Sequence, residues 1–305
     1  MRVTVTGATG LIGRRLVERL QRRGDEVTVL SRSPDRARER LDAVEAHAWD
    51  AVGGPAPAEA LAGRDGVVHL AGEPVAQRWN EHSKLTIRES REIGTRNLVA
   101  GLRAAEPRPA VLVSASAVGY YGARGDERVD EDHPPADDFL GRVVQAWERE
   151  ARAAEDLGVR VVLVRAGIVL DRSGGALKTM LPPFRAGVGG PIAGGAHYMP
   201  WIHADDVVGI YLAALDGADW SGPVNASAPE PVTNREFSRA LGRALRRPAV
   251  APVPAFALRL RYGEMAEVVT TGQRAVPARP LALGYRFVHP ELDEALRSAL
   301  DASST

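Results

Sequence analysis

Three glycines lie close together near the start of the chain, in the stretch TGATGLIG from Thr6 to Gly13. They follow a short apolar run and precede an amphipathic helical pattern. Gly7 would allow a tight turn, Gly10 would let a ligand approach the backbone, and Gly13 would permit close packing of helix on strand. A pyrophosphate would then rest on the positive end of the helix. The stretch therefore predicts a dinucleotide site whose loop consists of Gly7, Thr9, Gly10, Leu11, Ile12 and Gly13.

The end of the second predicted strand decides which dinucleotide would fit. The sequence there is VTVLSRSP, with Ser31, Arg32 and Ser33 and no acidic residue. An acid at this place normally holds a free ribose 2′-hydroxyl, whereas an arginine accommodates a 2′-phosphate. A guanidinium between two hydroxyls suits a doubly charged phosphate, so we predict NADP(H) over NAD(H). The alternative is that Arg32 is one surface arginine among many.

Apolar runs alternate with helical patterns through the first half, which predicts an α/β protein of Rossmann type with a doubly wound parallel sheet. The expected strands are 3–6, 27–30, 66–70, 110–114 and 159–164. The expected helices are 11–23, 84–105 and one from Asp137 or Asp138 to about 157. After residue 167 proline and glycine become frequent, which predicts a smaller α+β substrate lobe.

The predicted domains are therefore a dinucleotide-binding domain over 1–166 and a C-terminal lobe over 167–305. Segments near 201–215 are expected to return to the first domain. A helix over 234–245 belongs to the lobe, and we expect the last residues, 302–305, to be frayed.

Composition excludes several classes of function. The chain has 305 residues, with 39 basic and 39 acidic side chains and no cysteine. A balanced charge argues against nucleic-acid or membrane-surface partners. Without cysteine there are no disulfides, thiolate nucleophiles or cysteine-bound metals. With no signal-like N-terminus and no apolar stretch near ~20 residues, we expect a cytoplasmic protein whose partner is a small molecule.

Several segments together resemble the extended short-chain dehydrogenase/reductases, the nucleoside-diphosphate-sugar epimerase/dehydratase superfamily. They are TGATGLIG, GVVHLAGEP, IGTRNLVAGL, LVSASAVGYYG, LVRAGIVL and PWIHADDVV. Nearly end to end, the chain is similar to one sugar-nucleotide epimerase-like subgroup with a short C-terminal domain of unknown function. The segments that carry this likeness are HLAGEPVAQRW, SAVGYYG, GGALKTMLPPFRAGVGGP, WIHADD and GQRAVPARPLALGYRFVHPELDEAL. The resemblance implies the fold and a nicotinamide cofactor but no particular substrate; because members of the superfamily are often dimers, a homodimer is one option for the open oligomeric state.

The resemblance also implies cofactor contacts at the ends of later strands. Asp50 matches the acid that reaches the adenine edge in relatives. The other implied contacts are Leu70, Ala71 and Gly72 beside the adenosine ribose, Ser114 and Ser116 beside the nicotinamide, and Arg165 at the start of the segment that passes the carboxamide.

The catalytic pattern of the superfamily is missing. Its members use a Tyr-x-x-x-Lys on the helix after the serine segment, and that helix reads DDFLGRVVQAWEREAR. Phe139 and Leu140 stand where tyrosine is expected, and Arg142 lies near the place of the lysine. Standard epimerase or dehydratase chemistry therefore cannot be inherited.

Five residues are candidates to replace the missing pair: Ser116, Tyr120, Tyr121, Glu73 and Arg142. A phenol with an unperturbed pKa near ~10 works best as an acid, or as a base beside a cation. Arg142 would supply that cation but would not shuttle protons. Glu73, in the AGEP turn, is a second candidate base.

Other polar and aromatic residues favour structural roles. His203 is a third candidate base, although a role as a hydrogen-bonded packing residue is favoured. We expect Asp205–Asp206 to cap a helix and the site to hold no metal. Trp79, Trp147 and Trp201 are expected in the core or between lobes. Lys178 and Arg185 either bind a substrate anion or are solvated.

Two functions remain as hypotheses. The first is an NADP(H)-dependent oxidoreductase or epimerase that acts on a small polar substrate such as a nucleotide sugar, with a non-standard active site. The second is a non-catalytic NADP(H)-binding redox sensor or scaffold.

Overall fold

The computed structural model describes residues 1–301, so the predicted frayed end lies outside the described residues. Strands are numbered in chain order: β1 Arg2–Thr6, β2 Glu26–Ser31, β3 Glu45–Ala48, β4 Gly66–His69, β5 Val111–Ala117, β6 Arg128–Val129, β7 Arg160–Ala166, β8 Ile168–Leu170, β9 Tyr198–Met199, β10 Trp201–His203, β11 Gly222–Ala226, β12 Val232–Thr233 and β13 Arg274–Ala275. The helices are α1 Leu11–Arg22, α2 Pro34–Arg40, α3 Glu81–Ala104, α4 Phe139–Arg152, α5 Gly175–Arg185, α6 Ala204–Asp216, α7 Asn234–Leu245, α8 Ala255–Tyr262, α9 Ala266–Thr270, α10 Ala278–Ala282 and α11 Leu292–Leu300.

A seven-stranded sheet in the order β11-β7-β5-β4-β1-β2-β3 forms the centre of the fold. Every neighbouring pair in it is parallel. All seven strands therefore end at the same edge, which is where such sheets bind ligands. The predicted Rossmann-type fold is confirmed.

Helices cover both faces of the sheet because successive strand residues point to opposite sides. On β5, Val113 packs in the same apolar cluster as Leu16 of α1 and Ile210 of α6. Its neighbour Leu112 packs in the opposite cluster, which contains Leu98 of α3. The sheet is thus wound on both sides, and α6 packs on the same face as α1.

Several boundaries differ from those that the sequence predicts. Helix α3 begins three residues early, because Asn80 and Ser83 form a reciprocal capping box. Asp138 caps α4, which ends at Arg152 and is followed by a separate 3₁₀ turn, Glu155–Leu157. Strands β3 and β11 lacked a sufficient apolar run to be recognised.

The C-terminal part adds two two-stranded sheets, β8–β10 and β9–β12, and its strand β13 pairs with β6 of the first half in a third. Its core includes Leu177, Trp201, Phe237 and Leu296. Strand β11 lies in the central sheet although it follows residue 167, and the predicted domain boundary stays a prediction. Among the described residues, no helix is long and apolar enough to cross a membrane.

Candidate functional site

The glycine loop after β1 has no room for side chains at two of its three glycines. Gly7 adopts φ +66°, and a Cβ atom there would lie 2.7 Å from the carbonyl carbon of Leu70. A Cβ at Gly13 would lie 2.3 Å from the carbonyl oxygen of Gly7. The loop therefore turns tightly against the end of β4 while α1 starts directly beneath it. Thr9 and Gly10 between them are exposed, so the backbone at the start of α1 is open to a ligand.

A buried hydrogen-bonded group fixes the strand ends under this loop. The Thr6 hydroxyl accepts from the amides of Leu70 and Ala71, each at 3.1 Å, and lies 2.7 Å from Nδ1 of His69. Because its oxygen accepts those amides, the hydroxyl donates to Nδ1, and His69 donates through Nε2 to Thr95 at 3.1 Å. Burial lowers the pKa of His69 to about 4, so its ring is neutral.

Arg32 lies at the end of β2 as an exposed side chain. The Ser33 amide donates to the Ser31 hydroxyl, which closes a turn before α2. Among residues 1–301, no carboxylate forms an ion pair with Arg32. The guanidinium is thus available to an external anion beside the start of α2.

The ends of β3 and β4 carry the residues that the resemblance predicts to contact adenosine. Asp50 is exposed just after β3, where its carboxylate accepts from the amide of Val52 at 3.4 Å. Gly72 follows β4, and a Cβ there would be 3.4 Å from the guanidinium carbon of Arg91 on α3. Arg91 donates to the main-chain oxygen of Glu73 at 3.0 Å, and burial lowers its pKa to about 10. Glu73 is half-buried beside this arginine.

A buried ion pair lies beneath the ends of β5 and β7. Arg165 donates through Nε and Nη2 to the two carboxylate oxygens of Glu148 on α4, each at 2.8 Å. Ser116 donates to the same carboxylate at 2.6 Å. Ser116, Glu148 and Arg165 are all at most 5% exposed. Neither the Arg165 guanidinium nor the Ser116 hydroxyl hydrogen is free to contact a cofactor.

Tyr121 belongs to the same network rather than to the open cleft. Its hydroxyl donates to the side-chain oxygen of Asn225 at 2.7 Å and accepts from Arg165 at 2.9 Å. Burial raises the pKa of Tyr121 to about 12 even though Arg165 and Asn225 lower it. Glu131 extends the network, because its carboxylate accepts from the main-chain amide of Asn225 at 2.8 Å.

Tyr120 and Arg142 lie outside this hydrogen-bonded network. The Tyr120 ring is half-buried and covers the Arg165 guanidinium, with 3.6 Å from its centroid to the guanidinium carbon. Its hydroxyl has no hydrogen-bond partner among the described residues. Arg142 is exposed at the start of α4 and pairs with Asp137 at 3.0 Å. It is therefore directed to the surface.

The remaining candidates take structural or surface positions. His203 caps α6 by accepting from the Asp205 amide at 3.1 Å, and burial lowers its pKa to about 4. Asp206 accepts from the amides of Val288 and His289. Trp79, Trp147 and Trp201 are buried. Lys178 and Arg185 are exposed on α5.

Sequence reasoning did not identify Glu148, Asn225 or Glu131. Glu148 stands in the charged run WEREAR and looks like one more residue on a solvated helix face. A usable signal was Arg165, a charge within the apolar run VVLVRAGIVL. A buried arginine needs a carboxylate partner, although its position in the chain cannot be read from that need.

The comparisons with known proteins identify the class. A profile of the NAD dependent epimerase/dehydratase family matches residues 3–225, and a profile of a domain of unknown function, DUF1731, matches residues 253–299. The chain therefore belongs to the NAD-dependent epimerase/dehydratase family, within the extended short-chain dehydrogenase/reductase superfamily. The predicted resemblance is confirmed, including its C-terminal domain.

Particular relatives cover almost the whole chain. It is 40% identical to the chloroplastic epimerase family protein SDR39U1 homolog of Arabidopsis thaliana, over 98% of this chain and 87% of the relative. The crystal structure of human epimerase family protein SDR39U1 with NADPH matches with a TM-score of 0.89 and 38% identity, over 98% of this chain and 99% of the other. The structure of a nucleoside-diphosphate sugar epimerase from Corynebacterium glutamicum has a TM-score of 0.77 and 34% identity, over 97% and 57%. The predicted homodimer and cytoplasmic location stay predictions.

Proposed function

We propose that this protein binds NADP(H) across the ends of β1, β2 and β3. The observation that carries this proposal is the glycine loop, in which side chains at Gly7 and Gly13 would collide with backbone. The residues present fit the group: the loop offers amides to a pyrophosphate, and Arg32 offers an unpaired guanidinium to a 2′-phosphate. The NADPH held by the human relative, at 38% identity, supports the same choice.

Titration of the full chain with NADPH and NADH tests this cofactor preference. A charge-assisted contact contributes about 1.5–3 kcal/mol, so Arg32→Ala should weaken NADPH binding by about tenfold or more and leave NADH binding unchanged. Arg40→Ala, at the exposed far end of α2, is the matched control. Equal affinities for the two cofactors, unaltered in Arg32→Ala, would show that the site does not read the 2′-phosphate.

For the reaction, we propose hydride transfer to or from a small polar substrate of the nucleotide-sugar class, as an oxidation–reduction or an epimerisation. When bound, the cofactor supplies or accepts a hydride at nicotinamide C4. Tyr120 would hold the proton for the substrate oxygen, because its hydroxyl is unengaged and its ring lies on the Arg165 guanidinium. Ser116 and Glu148 would position that arginine beneath the ring. The named Corynebacterium epimerase supports the substrate class.

Isotope transfer tests the reaction. The full chain is incubated with NADPH deuterated at C4 and a pool of keto nucleotide sugars, whose carbonyl carbon can accept the deuteride, and deuterium in the reduced sugars is measured by mass spectrometry. The NADP⁺-loaded chain is followed in parallel by NMR for epimerised sugars. Tyr120→Phe should abolish either signal while NADPH binding persists, and full activity in this variant would exclude Tyr120 as the proton donor.

One observation favours the second candidate, a cofactor-reading sensor or scaffold. The polar side chains under β5 and β7 bind one another, and α4 carries neither the tyrosine nor the lysine of the superfamily. A sensor should bind NADPH and NADP⁺ with different affinities and should retain a protein partner only in one state. Absence of isotope transfer together with such a difference would replace the enzyme proposal by this one.

A further inference from the structure

Two histidines and an aspartate meet on the side of the fold where the C-terminal segment contacts α6. His203 ends β10, Asp205 lies in the first turn of α6, and His289 comes from the loop before α11. Asp205 Oδ2 lies 3.6 Å from His203 Nδ1 and 3.5 Å from His289 Nε2. One ligand atom from each of the three residues lies within 4.8 Å of the other two. The two rings face each other with centroids 3.8 Å apart.

These spacings match those of a metal site. Ligands at about 2.0–2.1 Å from a tetrahedral Zn²⁺ are separated from one another by about 3.3 Å. The nitrogen–oxygen distances here exceed that separation by only a few tenths of an ångström. Two imidazoles and a carboxylate are also donors that a borderline divalent cation accepts, with one position left for water.

A carboxylate behind the second histidine adds to this arrangement. Glu294 lies 2.9 Å from His289 Nδ1 through either of its oxygens. If Nδ1 donates to Glu294, the Nε2 lone pair is directed away from Glu294 and towards Asp205. Such a carboxylate–histidine pair is the usual outer partner of a metal ligand, because it fixes the tautomer and raises the basicity of the ring.

His203 is buried at the centre of this cluster. The residue is 2% exposed, and its Nε2 has no hydrogen-bond partner among residues 1–301. A buried polar atom without a partner is uncommon, because it has lost its hydrogen bond to water. Its Nδ1 accepts only the 3.1 Å bond from the Asp205 amide. The Nδ1 lone pair is thus held by one weak bond, and Nδ1 rather than Nε2 is the atom that would bind a metal.

The local charge is unbalanced in the direction that favours a cation. The carboxylates of Asp205 and Glu294 lie within 3.6 Å of ring nitrogens, and the Asp206 carboxylate accepts from the amides of Val288 and His289. Arg15 lies 3.9 Å from Asp205 but forms its close ion pair with Asp171 at 2.5 Å. A divalent cation would offset the excess negative charge.

We propose that His203, Asp205 and His289 bind one divalent transition-metal ion, with Zn²⁺ as the preferred occupant and Glu294 as the outer partner of His289. The ion links the start of α6 to the loop before α11, and its role is to hold the C-terminal segment against the sheet. Binding through His203 Nδ1 exchanges the weak cap bond for the metal, so we expect micromolar rather than nanomolar affinity. The sequence analysis predicted no metal here. His289, the third ligand of the proposed site, is 86 positions away from His203 in the sequence, so the sequence pattern does not bring the two together.

Calorimetry and Co²⁺ spectroscopy on the chelator-treated full chain test the site. We expect one Zn²⁺ per chain, the visible absorption of four-coordinate Co²⁺, and a higher Tm with excess Zn²⁺, since the ion binds the folded state. His289→Gln should reduce Zn²⁺ affinity by more than tenfold. Glu294→Gln should reduce it by about 10- to 100-fold, as expected for an outer partner. His203 is not substituted in this test, because it also caps α6 and its loss would destabilise the helix.

His133→Gln is the matched control, because His133 also lies beside two carboxylates, of Asp130 and Glu127, at 2.8 and 3.6 Å. This variant should bind Zn²⁺ like the parent chain. The proposal would be overturned if the chain took up no Zn²⁺ at a Zn²⁺ concentration about 100-fold above the expected micromolar Kd. Equal Zn²⁺ uptake by the folded His289→Gln variant would also overturn it. NADPH titration should give the same affinity with and without Zn²⁺, so the outcome here is independent of the proposed function.

Discussion

The glycine loop after β1 and the polar network beneath β5 and β7 lie at the same edge of the sheet but are built from different parts of the chain. The loop consists of backbone from one short stretch, and its geometry depends on side chains being absent. The network consists of side chains from widely spaced segments, with Ser116, Glu148, Arg165 and Asn225 satisfying one another inside the protein. The loop can therefore be recognised locally, whereas the network exists only after folding.

The largest expected effect comes from breaking the network at its ion pair. Glu148→Gln leaves Arg165 buried with its charge uncompensated, which should reduce the free energy of unfolding by about 3–5 kcal/mol. Urea denaturation measures this free energy of unfolding. The control is the double variant Glu148→Met/Arg165→Met, which removes both charges and should be markedly more stable than Glu148→Gln. Equal stability of the two variants would mean that the unpaired charge of Arg165 is not the main cause of the loss of stability.

The loop should respond to the addition of a single methyl group. Gly13→Ala places a Cβ against the Gly7 carbonyl oxygen, so the loop must shift. We expect NADPH affinity to fall by at least about tenfold, with a loss of stability of about 1–3 kcal/mol. Gly54→Ala is the control, because a Cβ there meets no atom within 4 Å. Normal NADPH binding by Gly13→Ala would show that the close approach is not required.

The buried His69 beneath the glycine loop should make the stability of the protein depend on pH. Burial holds the pKa of His69 near 4, below its ordinary 6.5, so the unfolded chain binds more protons between these values. This contribution to stability is present above pH 6.5 and is lost as the pH falls towards 4, by about 2 kcal/mol at pH 5. His69→Gln, which keeps one acceptor and one donor, should flatten this part of the pH–stability curve. An equal change in the exposed His82→Gln would contradict the assignment.

The two adjacent tyrosines should differ in stability. Tyr121→Phe removes a hydroxyl that bonds Asn225 and Arg165 in the interior, so we expect a loss of about 1–3 kcal/mol. Tyr120→Phe removes a hydroxyl that has no partner within the described chain, so its effect should stay within about 0.5 kcal/mol. Thermal unfolding measures both. A larger loss in Tyr120→Phe would indicate that its hydroxyl has a structural role.

Much of the fold could be predicted because it depends on short-range patterns. Apolar runs gave the inner strands, and the phosphate loop followed from its glycines. The short strand β3, EAHA, lacks such a run, and the start of α3 depends on a capping box whose two members bind reciprocally. The partners of Arg165 and Tyr121 could not be located, because Glu148 and Asn225 reach them only when α4 and β11 pack on the sheet.

The segment around β13 contributes two main-chain oxygens and one side chain to the interior. Ala275 accepts from the buried Ser227 hydroxyl at 3.0 Å, and Val276 directly after it accepts from the Asn225 amide group at 2.9 Å. Gln273 in turn donates to the Val118 oxygen at 2.7 Å. If this segment detached, the polar groups of the central sheet would lose their partners while still enclosed. The C-terminal family segment and the dinucleotide-binding sheet are therefore expected to melt in one cooperative transition.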